Sequence, residues 1–345
     1  MADLRVLLDG TPLLGSRTGI GRYTASLAAA LVSEVDLRLI GFTTRGWREL
    51  RSLAPSRVVG PPIPARVLRA LWSRGAFPPV ELLAGRCDVV HGTNFVLPPS
   101  VRAGGVVTVH DLAFLDAPEE APGLAELVRA SVRRAAAVCT PTEAVADSVC
   151  SRLGVDRSKI VVTPLGVDPE WFDATPPDQE VRSRHGIPDD YLLFVGADGP
   201  RKGLPGLLRA HADDLPPLVV AGPGDAARGD RVLRTGYLPD SRLRRLVAGA
   251  RALVLPSRDE GFGLPALEAF ACGVPVVCSD VAALREVTSG HASLFRYGDT
   301  DALRAALRRA LESPPESAAL RAHAAGFTWS RCAEATLRAY RIAAR

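Results

Sequence analysis

Several features are scarce in these 345 residues, and each scarcity excludes a class of protein. No apolar run reaches the roughly 18 residues that a membrane-spanning helix needs. The N-terminus, MADLRVLLDG, lacks the basic start and long apolar core of a secretory signal peptide, so we expect a cytoplasmic protein. The six cysteines are scattered, form no CxxC pair and stand in apolar surroundings, which favours reduced, buried thiols over a metal site or disulfides.

Lysine is scarce as well, since it occurs only at Lys159 and Lys202 in a chain rich in arginine. This bias makes each lysine more informative about function. The net charge of +4 is too small on a chain of this length to indicate nucleic acid binding, and no RNA- or DNA-binding motif is present. We therefore expect no nucleic acid partner. The hydrophobic content of 47% and charged content of 23% are ordinary for a globular protein.

Apolar, strand-like runs alternate with helical patterns along nearly the whole chain. Continuous apolar runs are what a parallel sheet covered on both faces needs, and such alternation predicts doubly wound α/β domains. The length suggests two of them. We expect strands at 5–10, 35–42, 88–92, 106–111, 137–141 and 160–164, and in the second half at 191–196, 217–222, 232–238, 252–257 and 274–279.

A boundary is visible at 166–190, which is rich in Pro and Asp, has little periodicity and is interpreted as a linker. We expect an N-terminal Rossmann-like lobe at 1–168, a C-terminal Rossmann-like lobe at 169–327, and a last helix at 328–345 that packs back on the N-terminal lobe. Ligands of such sheets bind at the carboxyl ends of the strands. Two lobes joined by a linker would face each other across a ligand-binding cleft.

The stretch SRDEGFGLPALE begins directly after the apolar run ALVLP. Pro265 suits the first position of a helix and Gly273 the position just past its last turn, so we expect a short helix at 265–272. Its dipole and the free N–H groups of 261–264 would favour an anion, and the glycines there would let a ligand approach the backbone.

Two carboxylates accompany this loop, at Glu260 and Glu268. Carboxylates accept hydrogen bonds from sugar hydroxyls, so the pair fits a ligand that carries hydroxyls as well as an anion. A solvated loop with a capping acid fits the spacing equally well.

A second loop, ADGPRKGL, follows the predicted strand at 191–196 and carries adjacent cations at Arg201 and Lys202. Such residues clamp phosphates. The alternative is a basic surface turn, but the scarcity of lysine favours a function. Together, two anion-binding elements and two carboxylates describe a site for a nucleotide-sugar diphosphate.

The chain resembles the retaining family-four glycosyltransferases, which have the two-lobed GT-B fold. EGFGLPALE resembles their E-x7-E motif, and VGADGPRKGL resembles their basic diphosphate loop, with Gly203 where Asn is usual. Three more segments occur in the right order. TPLGVD (163–168) resembles the interlobe PNGVD, SRTGIGRYTASLAAAL (16–31) the N-terminal glycine loop and helix, and TVHDLAFLDAPE (108–119) the HDL segment of bacterial mannosyltransferase-like members.

The resemblance implies a role for each matching residue. Glu260 and His110 would contact the donor sugar, while Arg201 and Lys202 would neutralise the leaving diphosphate. Glu268 would hold the ribose. The remaining donor-binding residues would be Gly19 and Gly21, in a loop that closes over the phosphates, Gly261, Phe262, Gly263 and Leu264, through their backbone, and Tyr237 and Leu238, beside the base.

The implied reaction is retaining, with attack from the front face and the departing phosphate taking the acceptor's proton, so no separate general base is assigned. A hexosyl group would move from a nucleotide-diphosphate sugar, with GDP-mannose favoured, to a glycan, lipid-linked or small-molecule acceptor. The N-terminal lobe would bind the acceptor and the C-terminal lobe the donor. We expect no cofactor and no metal, because the DxD at 299–301 precedes a helical pattern and suits a helix cap.

Rival functions remain. A nicotinamide dehydrogenase needs GxGxxG tight against the first strand, but here Thr24 stands where the third glycine belongs. A nucleotide-sugar epimerase on the same fold would have a similar site but would need no acceptor. A two-lobed binding protein without catalysis would release no product from a donor.

The acceptor lobe has a basic region at 38–74, in which ARVLRALWSRG sets Val67, Leu68, Leu71 and Trp72 on one helical side. This helix could lie on the inner face of a membrane, peripherally, beside a lipid-linked acceptor. An ordinary helix packed on the lobe is the favoured interpretation. The arginines of the region are Arg38, Arg45, Arg48, Arg51, Arg57, Arg66, Arg69 and Arg74.

Overall fold

The computed structural model describes residues 4–15, 19–73, 75–224, 229 and 231–345. The chain divides into two compact units, and each is described here by itself. The N-terminal unit comprises Met1–Gly166 together with Trp329–Arg345, and the C-terminal unit comprises Val167–Thr328. Each unit is built on one parallel sheet with helices around it, which confirms the predicted α/β class.

The N-terminal unit has a seven-stranded sheet in the order β3-β2-β1-β4-β5-β6-β7. Its strands are β1 Arg5–Asp9, β2 Asp36–Ile40, β3 Arg57–Val59, β4 Val89–Gly92, β5 Gly104–Thr108, β6 Ala137–Thr140 and β7 Ile160–Val162. The helices between them are α1 Gly19–Leu31, α2 Trp47–Leu53, α3 Ala65–Trp72, α4 Val80–Ala84, α5 Leu124–Arg134 and α6 Glu143–Leu153.

The C-terminal unit has a six-stranded sheet in the order β10-β9-β8-β11-β12-β13. Its strands are β8 Leu192–Val195, β9 Leu218–Ala221, β10 Val232–Gly236, β11 Ala252–Leu255, β12 Val276–Ser279 and β13 Ser293–Phe295. Its helices are α7 Gln179–His185, α8 Leu204–Ala210, α9 Asp240–Ala248, α10 Leu264–Ala271, α11 Ala282–Thr288, α12 Thr300–Glu312 and α13 Ser317–Ala325.

The strand order of the C-terminal unit reverses between β8 and β11. From β8 the chain winds outward to β9 and β10, then returns to the other side of β8 as β11. Ligands of doubly wound sheets bind at such a switch point, beyond the carboxyl ends of the two central strands. The loops that follow β8 and β11 therefore occupy the favoured position for a site in this unit.

The segment predicted as a linker is partly folded, so that prediction is wrong in its detail. Trp171 is 1% exposed, and α7 forms within the segment because the Asp178 side chain accepts a hydrogen bond from the Val181 N–H at 2.9 Å. Proline and aspartate indicated a loop, but aspartate is also a strong helix cap. These residues belong to the C-terminal unit.

The last helix, α14 (Trp329–Ala343), belongs to the N-terminal unit. The Tyr340 hydroxyl lies 2.8 Å from Nδ1 of His91 in β4. At Gly104 an added Cβ would lie 1.9 Å from the Ala343 carbonyl oxygen, so only glycine admits this close approach. Among the described residues, no helix has the length and apolar character needed to span a bilayer.

All six cysteines are free thiols, and Cys150 alone of them is not fully buried. Burial raises the pKa of the Cys278 thiol to about 12. The buried thiols are therefore packing groups, as the apolar surroundings of the cysteines predicted.

Candidate functional site

The loop after β11 is shaped by glycine and proline. Gly263 has φ +94°, and an added Cβ there would lie 2.4 Å from Cδ2 of Leu284. Helix α10 then begins at Leu264 with Pro265 in its first turn, and Gly273, with φ +75°, follows its end. The predicted short helix is confirmed within one residue at each end. Its N-terminus lies at the carboxyl end of β11, where the positive end of the helix dipole favours an anion.

The loop after β8 is held tightly against the loop after β11. Gly203 has φ +69°, and an added Cβ would lie 1.8 Å from the Pro256 carbonyl oxygen. The Arg258 N–H also donates to the Arg201 carbonyl at 2.8 Å. No side chain fits at position 203 against Pro256, so this junction between the two loops requires glycine.

These two loops bring Lys202 and Glu260 into direct contact. The Lys202 Nζ donates to Glu260 Oε1 at 2.6 Å, and the Ser257 Oγ donates to the same oxygen at 2.7 Å. Arg201 Nη1 lies 3.8 Å from Glu260 Oε2 and donates to the Asp259 carbonyl at 3.3 Å. The Glu260 side chain is only 9% exposed. Three of the predicted site residues thus form one cluster at the switch point.

The cluster fixes the charge of Glu260. Burial raises the pKa of this carboxyl, but the positive charges of Lys202 and Arg201 and the hydrogen bonds from Lys202 and Ser257 outweigh burial and hold the pKa below its usual range. Glu260 is therefore ionised at neutral pH. An arriving phosphate would compete with this carboxylate for the Lys202 ammonium group, because both are anions that accept from it.

The other predicted residues of α10 and its loop are mostly buried. Glu268 is 4% exposed, one turn into α10. Phe262 is 5% exposed, and its ring packs edge-on against Phe327 with centroids 6.0 Å apart. The Phe262 side chain therefore faces the core of the unit, which leaves its backbone, rather than its ring, for a ligand.

Tyr237 and Leu238 follow β10 and line a cavity of about 400 Å³ beside α7 and α9. Tyr237 is 53% exposed, so its ring is accessible to a ligand. This cavity is a different place from the cluster around Glu260, because none of Arg201, Lys202 and Glu260 lines it.

His110, in the N-terminal unit, stands two residues after β5. Its Nε2 lies 2.8 Å from the Thr93 carbonyl oxygen, and a carbonyl can only accept, so Nε2 carries the proton. Burial lowers the pKa of His110, although the Thr93 carbonyl and Asp111 oppose this, and the ring is neutral at pH 7. Nδ1 is therefore an acceptor. Tyr23 and Phe95 pack edge-on against the ring at 4.8 and 5.6 Å.

Comparison with known proteins agrees with this geometry. Residues 17–171 match the family described as Glycosyltransferase Family 4, and residues 177–326 match Glycosyl transferases group 1. The O-antigen chain mannosyltransferase B of Escherichia coli is 31% identical over 284 residues, which cover 74% of each chain. The chain belongs to the group 1 glycosyltransferases.

This glycosyltransferase has the same fold as several solved structures. Sucrose-phosphate synthase from Thermosynechococcus elongatus has a TM-score of 0.74 at 21% identity and covers 98% of both chains. Anabaena Alr3699/HepE, in complex with UDP and glucose, has a TM-score of 0.74 at 17% identity and covers 97% of this chain and 98% of its own. The predicted GT-B class, with two Rossmann-like parallel-sheet lobes, is confirmed.

Gly19 and Gly21 of the glycosyltransferase lie in the first turn of α1, not in a loop. Gly21 is buried, whereas a Cβ at Gly19 would meet nothing within 4 Å. The two glycines therefore belong to the helix of this motif rather than to its loop. Residues 16–18 of the same motif lie outside the described residues.

The DxD sequence caps a helix, as predicted. Asp299 is the N-cap of α12, and its carboxylate accepts from the Ala302 N–H at 2.8 Å. Asp301 lies in the first turn of the helix and pairs with Arg304 at 2.9 Å. Both acids thus have structural positions at the start of α12, one as its cap and one in its first turn.

The basic region of the glycosyltransferase has a mixed surface at α3. Leu68 and Trp72 are each 2% exposed, and Trp72 packs edge-on against Phe42. Val67 and Leu71 are 45% and 43% exposed, beside the arginines. The apolar side of α3 is therefore partly buried against the lobe and partly exposed. Arg74 lies outside the described residues.

Sequence reasoning missed the residues that support the predicted ones. Ser257, which bonds Glu260, stands inside the quoted motif but was given no role. Thr93 fixes the protonated nitrogen of His110 through its backbone, which no residue pattern reveals. Phe95 has φ +62°, a left-handed backbone that is uncommon outside glycine, and such strain clusters at functional sites.

Proposed function

We propose that this glycosyltransferase transfers a hexosyl group, with retention of configuration, from a nucleotide-diphosphate sugar to an acceptor hydroxyl on a glycan, lipid-linked molecule or small molecule. GDP-mannose is the first donor to test, because a relative that is 31% identical over 284 residues is named as a mannosyltransferase. UDP-glucose is the second, because a structural neighbour was solved with UDP and glucose. The partly buried Lys202–Glu260 pair at the switch point carries the proposal.

The chemistry of sugar–phosphate cleavage explains this cluster. As the bond breaks, negative charge grows on the departing diphosphate and positive charge on the anomeric carbon. Lys202, Arg201 and the positive end of the α10 dipole are preorganised to stabilise the first charge. The ionised Glu260 carries the sign that stabilises the second charge and accepts hydrogen bonds from sugar hydroxyls.

The remaining residues have supporting roles in the proposal. Glu268 holds the ribose, Tyr237 and Leu238 lie beside the base, and the His110 Nδ1 accepts a hydrogen bond from a donor-sugar hydroxyl. The departing phosphate takes the acceptor's proton, so no side chain is assigned as a base. Because side-chain cations neutralise the diphosphate, we propose that transfer requires no metal ion.

Product analysis tests this function. The protein is incubated with GDP-mannose, with and without a panel of simple glycoside acceptors, and early products are examined by proton NMR. We expect an α-mannoside that forms only with acceptor and forms equally in the presence of EDTA. A β-mannoside would contradict retention, loss of product with EDTA would contradict metal independence, and sugar interconversion without acceptor would indicate an epimerase.

We also propose that the chain works at the inner face of a membrane when its acceptor is lipid-linked. Val67 and Leu71 are exposed among arginines, which suits a surface of anionic lipid. Sedimentation with anionic liposomes at moderate salt tests this contact. Binding that is lost in a Val67→Ser/Leu71→Ser variant would support it, and absence of co-sedimentation by the wild-type protein would contradict it.

A further inference from the structure

A buried carboxylate lies at the carboxyl end of β1, in the N-terminal unit. The strand order of this unit reverses between β1 and β4, because the chain winds outward from β1 to β2 and β3 and then returns to the other side of β1 as β4. Ligands of doubly wound sheets bind beyond the carboxyl ends of two such strands. Asp9 is the last residue of β1, so it occupies the favoured position for a ligand of this unit.

One oxygen of the Asp9 carboxylate is fixed by the loop that follows β1. Oδ1 accepts a hydrogen bond from the Thr11 N–H at 2.9 Å and another from the Thr11 hydroxyl at 2.5 Å. The Thr11 Oγ1 in turn accepts from the Phe42 N–H, beyond β2, at 3.0 Å. These bonds set the direction of the carboxylate and leave its second oxygen unused.

The second oxygen, Oδ2, is available to a ligand. Asp9 is 8% exposed, and none of the described residues donates a hydrogen bond to Oδ2, yet this atom is not sealed from solvent. Burial raises the pKa of the carboxyl, while the hydrogen bonds from Thr11 and the positive charge of Arg69 oppose the rise. A further donor to Oδ2 would therefore offset part of the cost of burying this group.

The ends of the neighbouring strands place two more features beside Asp9. Thr93, which follows β4, donates its hydroxyl to the Asp9 carbonyl at 2.7 Å, and the Thr93 carbonyl accepts from His110 Nε2 at 2.8 Å. Thr93 therefore links Asp9 to His110. Phe95, two residues further on, has the left-handed φ of +62° that costs backbone strain, and such strain clusters at ligand sites.

The atoms that this region offers are hydrogen-bond acceptors. Asp9 Oδ2 and His110 Nδ1 both suit a hydroxyl group, which can donate to either of them. In the proposed function, on which this inference rests, His110 holds the donor sugar and the N-terminal lobe binds the acceptor. Transfer joins the two sugars, so a group linked to His110 is well placed to hold the second one. We propose that Asp9 is an acceptor-binding residue, whose Oδ2 accepts a hydrogen bond from a hydroxyl of a sugar acceptor.

Ligand-observed NMR tests this role with methyl α-D-mannopyranoside as the probe and no nucleotide sugar present. The wild-type protein is compared with Asp9→Asn, whose amide oxygen can still accept both bonds from Thr11. The matched control is Asp36→Asn, the same change at the first residue of β2, on the opposite edge of the sheet. We expect the mannoside to bind about tenfold more weakly to Asp9→Asn, because an acceptor is replaced by a donor, and unchanged to Asp36→Asn.

The monodeoxy analogues of the mannoside identify the hydroxyl that Asp9 binds. The 2-, 3-, 4- and 6-deoxy compounds are titrated against the wild-type protein and Asp9→Asn. One analogue should bind the wild-type protein about tenfold more weakly than the parent mannoside and show no further loss in Asp9→Asn, because the two changes remove the same hydrogen bond. The thermal shift with GDP-mannose should be the same in the wild-type protein and Asp9→Asn.

Four results would overturn the proposal. These are absence of mannoside binding by the wild-type protein, unchanged binding by Asp9→Asn, equal weakening in Asp9→Asn and Asp36→Asn, and additive losses for all four deoxy analogues. A GDP-mannose shift lost in Asp9→Asn would place this carboxylate at the donor and would also overturn it. The mannoside titration needs no donor, so a protein that binds mannoside but transfers no sugar would contradict the proposed function and leave this assignment standing.

Discussion

The two units carry predicted site residues at similar places in the fold, but the charges of these residues differ. Each places a predicted site residue just after a strand of a parallel sheet, yet the C-terminal unit has an ionised cluster and the N-terminal unit a neutral one. Glu260 is held ionised by Lys202 and Arg201, whereas His110 is held neutral by burial. The charged side chains of the predicted site thus lie in the C-terminal unit, and its uncharged histidine lies in the N-terminal unit.

The neutral character of the N-terminal unit extends beyond His110. His91 Nε2 lies 2.8 Å from the Thr108 Oγ1, which lies 2.9 Å from the Tyr23 hydroxyl. His91 Nδ1 lies 2.8 Å from the Tyr340 hydroxyl. This buried chain of uncharged groups joins α1, β4, β5 and α14. It resists any protonation, because a charge there would be buried without a counter-ion.

The largest effect is expected from removing the cation that Glu260 contacts. Lys202→Ala should lower kcat/KM by about 10²–10³, equivalent to about 2.7–4 kcal/mol of transition-state stabilisation, because the diphosphate loses a preorganised donor. Steady-state kinetics with the donor identified by binding measures this. The matched control is Lys159→Ala, since Lys159 is the other lysine and lies in the N-terminal unit. An equal loss of kcat/KM in both variants would contradict a specific role for the charged groups of the C-terminal unit.

Folding of the C-terminal cluster depends on a glycine. Gly203→Ala should lower the free energy of unfolding by about 1–3 kcal/mol or more, because φ is +69° and the Cβ would overlap the Pro256 carbonyl. Gly199→Ala is the control, since a Cβ there meets nothing within 4 Å. Urea unfolding followed by circular dichroism compares them. A Gly203→Ala protein as stable as Gly199→Ala would show that the two loops are not packed as described.

The neutral network predicts a pH dependence for the N-terminal unit. Burial, and then the nearby His110, lower the pKa of His91 from 6.5 to about 3, so the unfolded chain binds more protons below pH 6.5. The contribution of His91 to the free energy of unfolding is therefore fully present above about pH 6.5. It is lost as the pH falls, by up to about 1.4 kcal/mol per pH unit. His91→Gln should flatten this dependence between pH 6.5 and 5 in thermal unfolding. Parallel curves for the two proteins would contradict the network.

The smallest effect is expected at the DxD sequence. Asp299→Ala should cost about 1 kcal/mol of stability through loss of the α12 cap and leave kcat/KM unchanged. Asp301→Ala, which removes only a surface pair, should cost less. Thermal unfolding and steady-state kinetics are measured for both variants. A large loss of activity in Asp299→Ala would give this acid a role in the reaction.

Much of the fold was predictable because buried parallel strands are continuous apolar runs. The run at 252–257 contains β11, and the run at 88–92 contains β4. The strands that were missed, β3 at Arg57–Val59 and β13 at Ser293–Phe295, contain only two apolar residues each, which is too few for a continuous apolar run.

The residues of the site could be predicted from the sequence, but the contacts between them could not. The spacing of glycine and proline predicted the start of α10, because these residue types restrict the local backbone conformation. The Lys202–Glu260 contact joins residues 58 positions apart, so it depends on the approach of two loops. The proton position of His110 depends on the carbonyl of Thr93, and backbone acceptors have no signature in residue type.

A thermal-shift titration of the wild-type protein with GDP-, UDP-, dTDP- and ADP-sugars tests most directly whether the charged cluster binds a nucleotide-sugar diphosphate. Binding raises apparent stability by RT ln(1 + [L]/Kd). We predict that GDP-mannose raises the midpoint most and that Lys202→Ala loses most of this shift. No shift with any of the four sugars, or an undiminished shift in Lys202→Ala, would contradict the account.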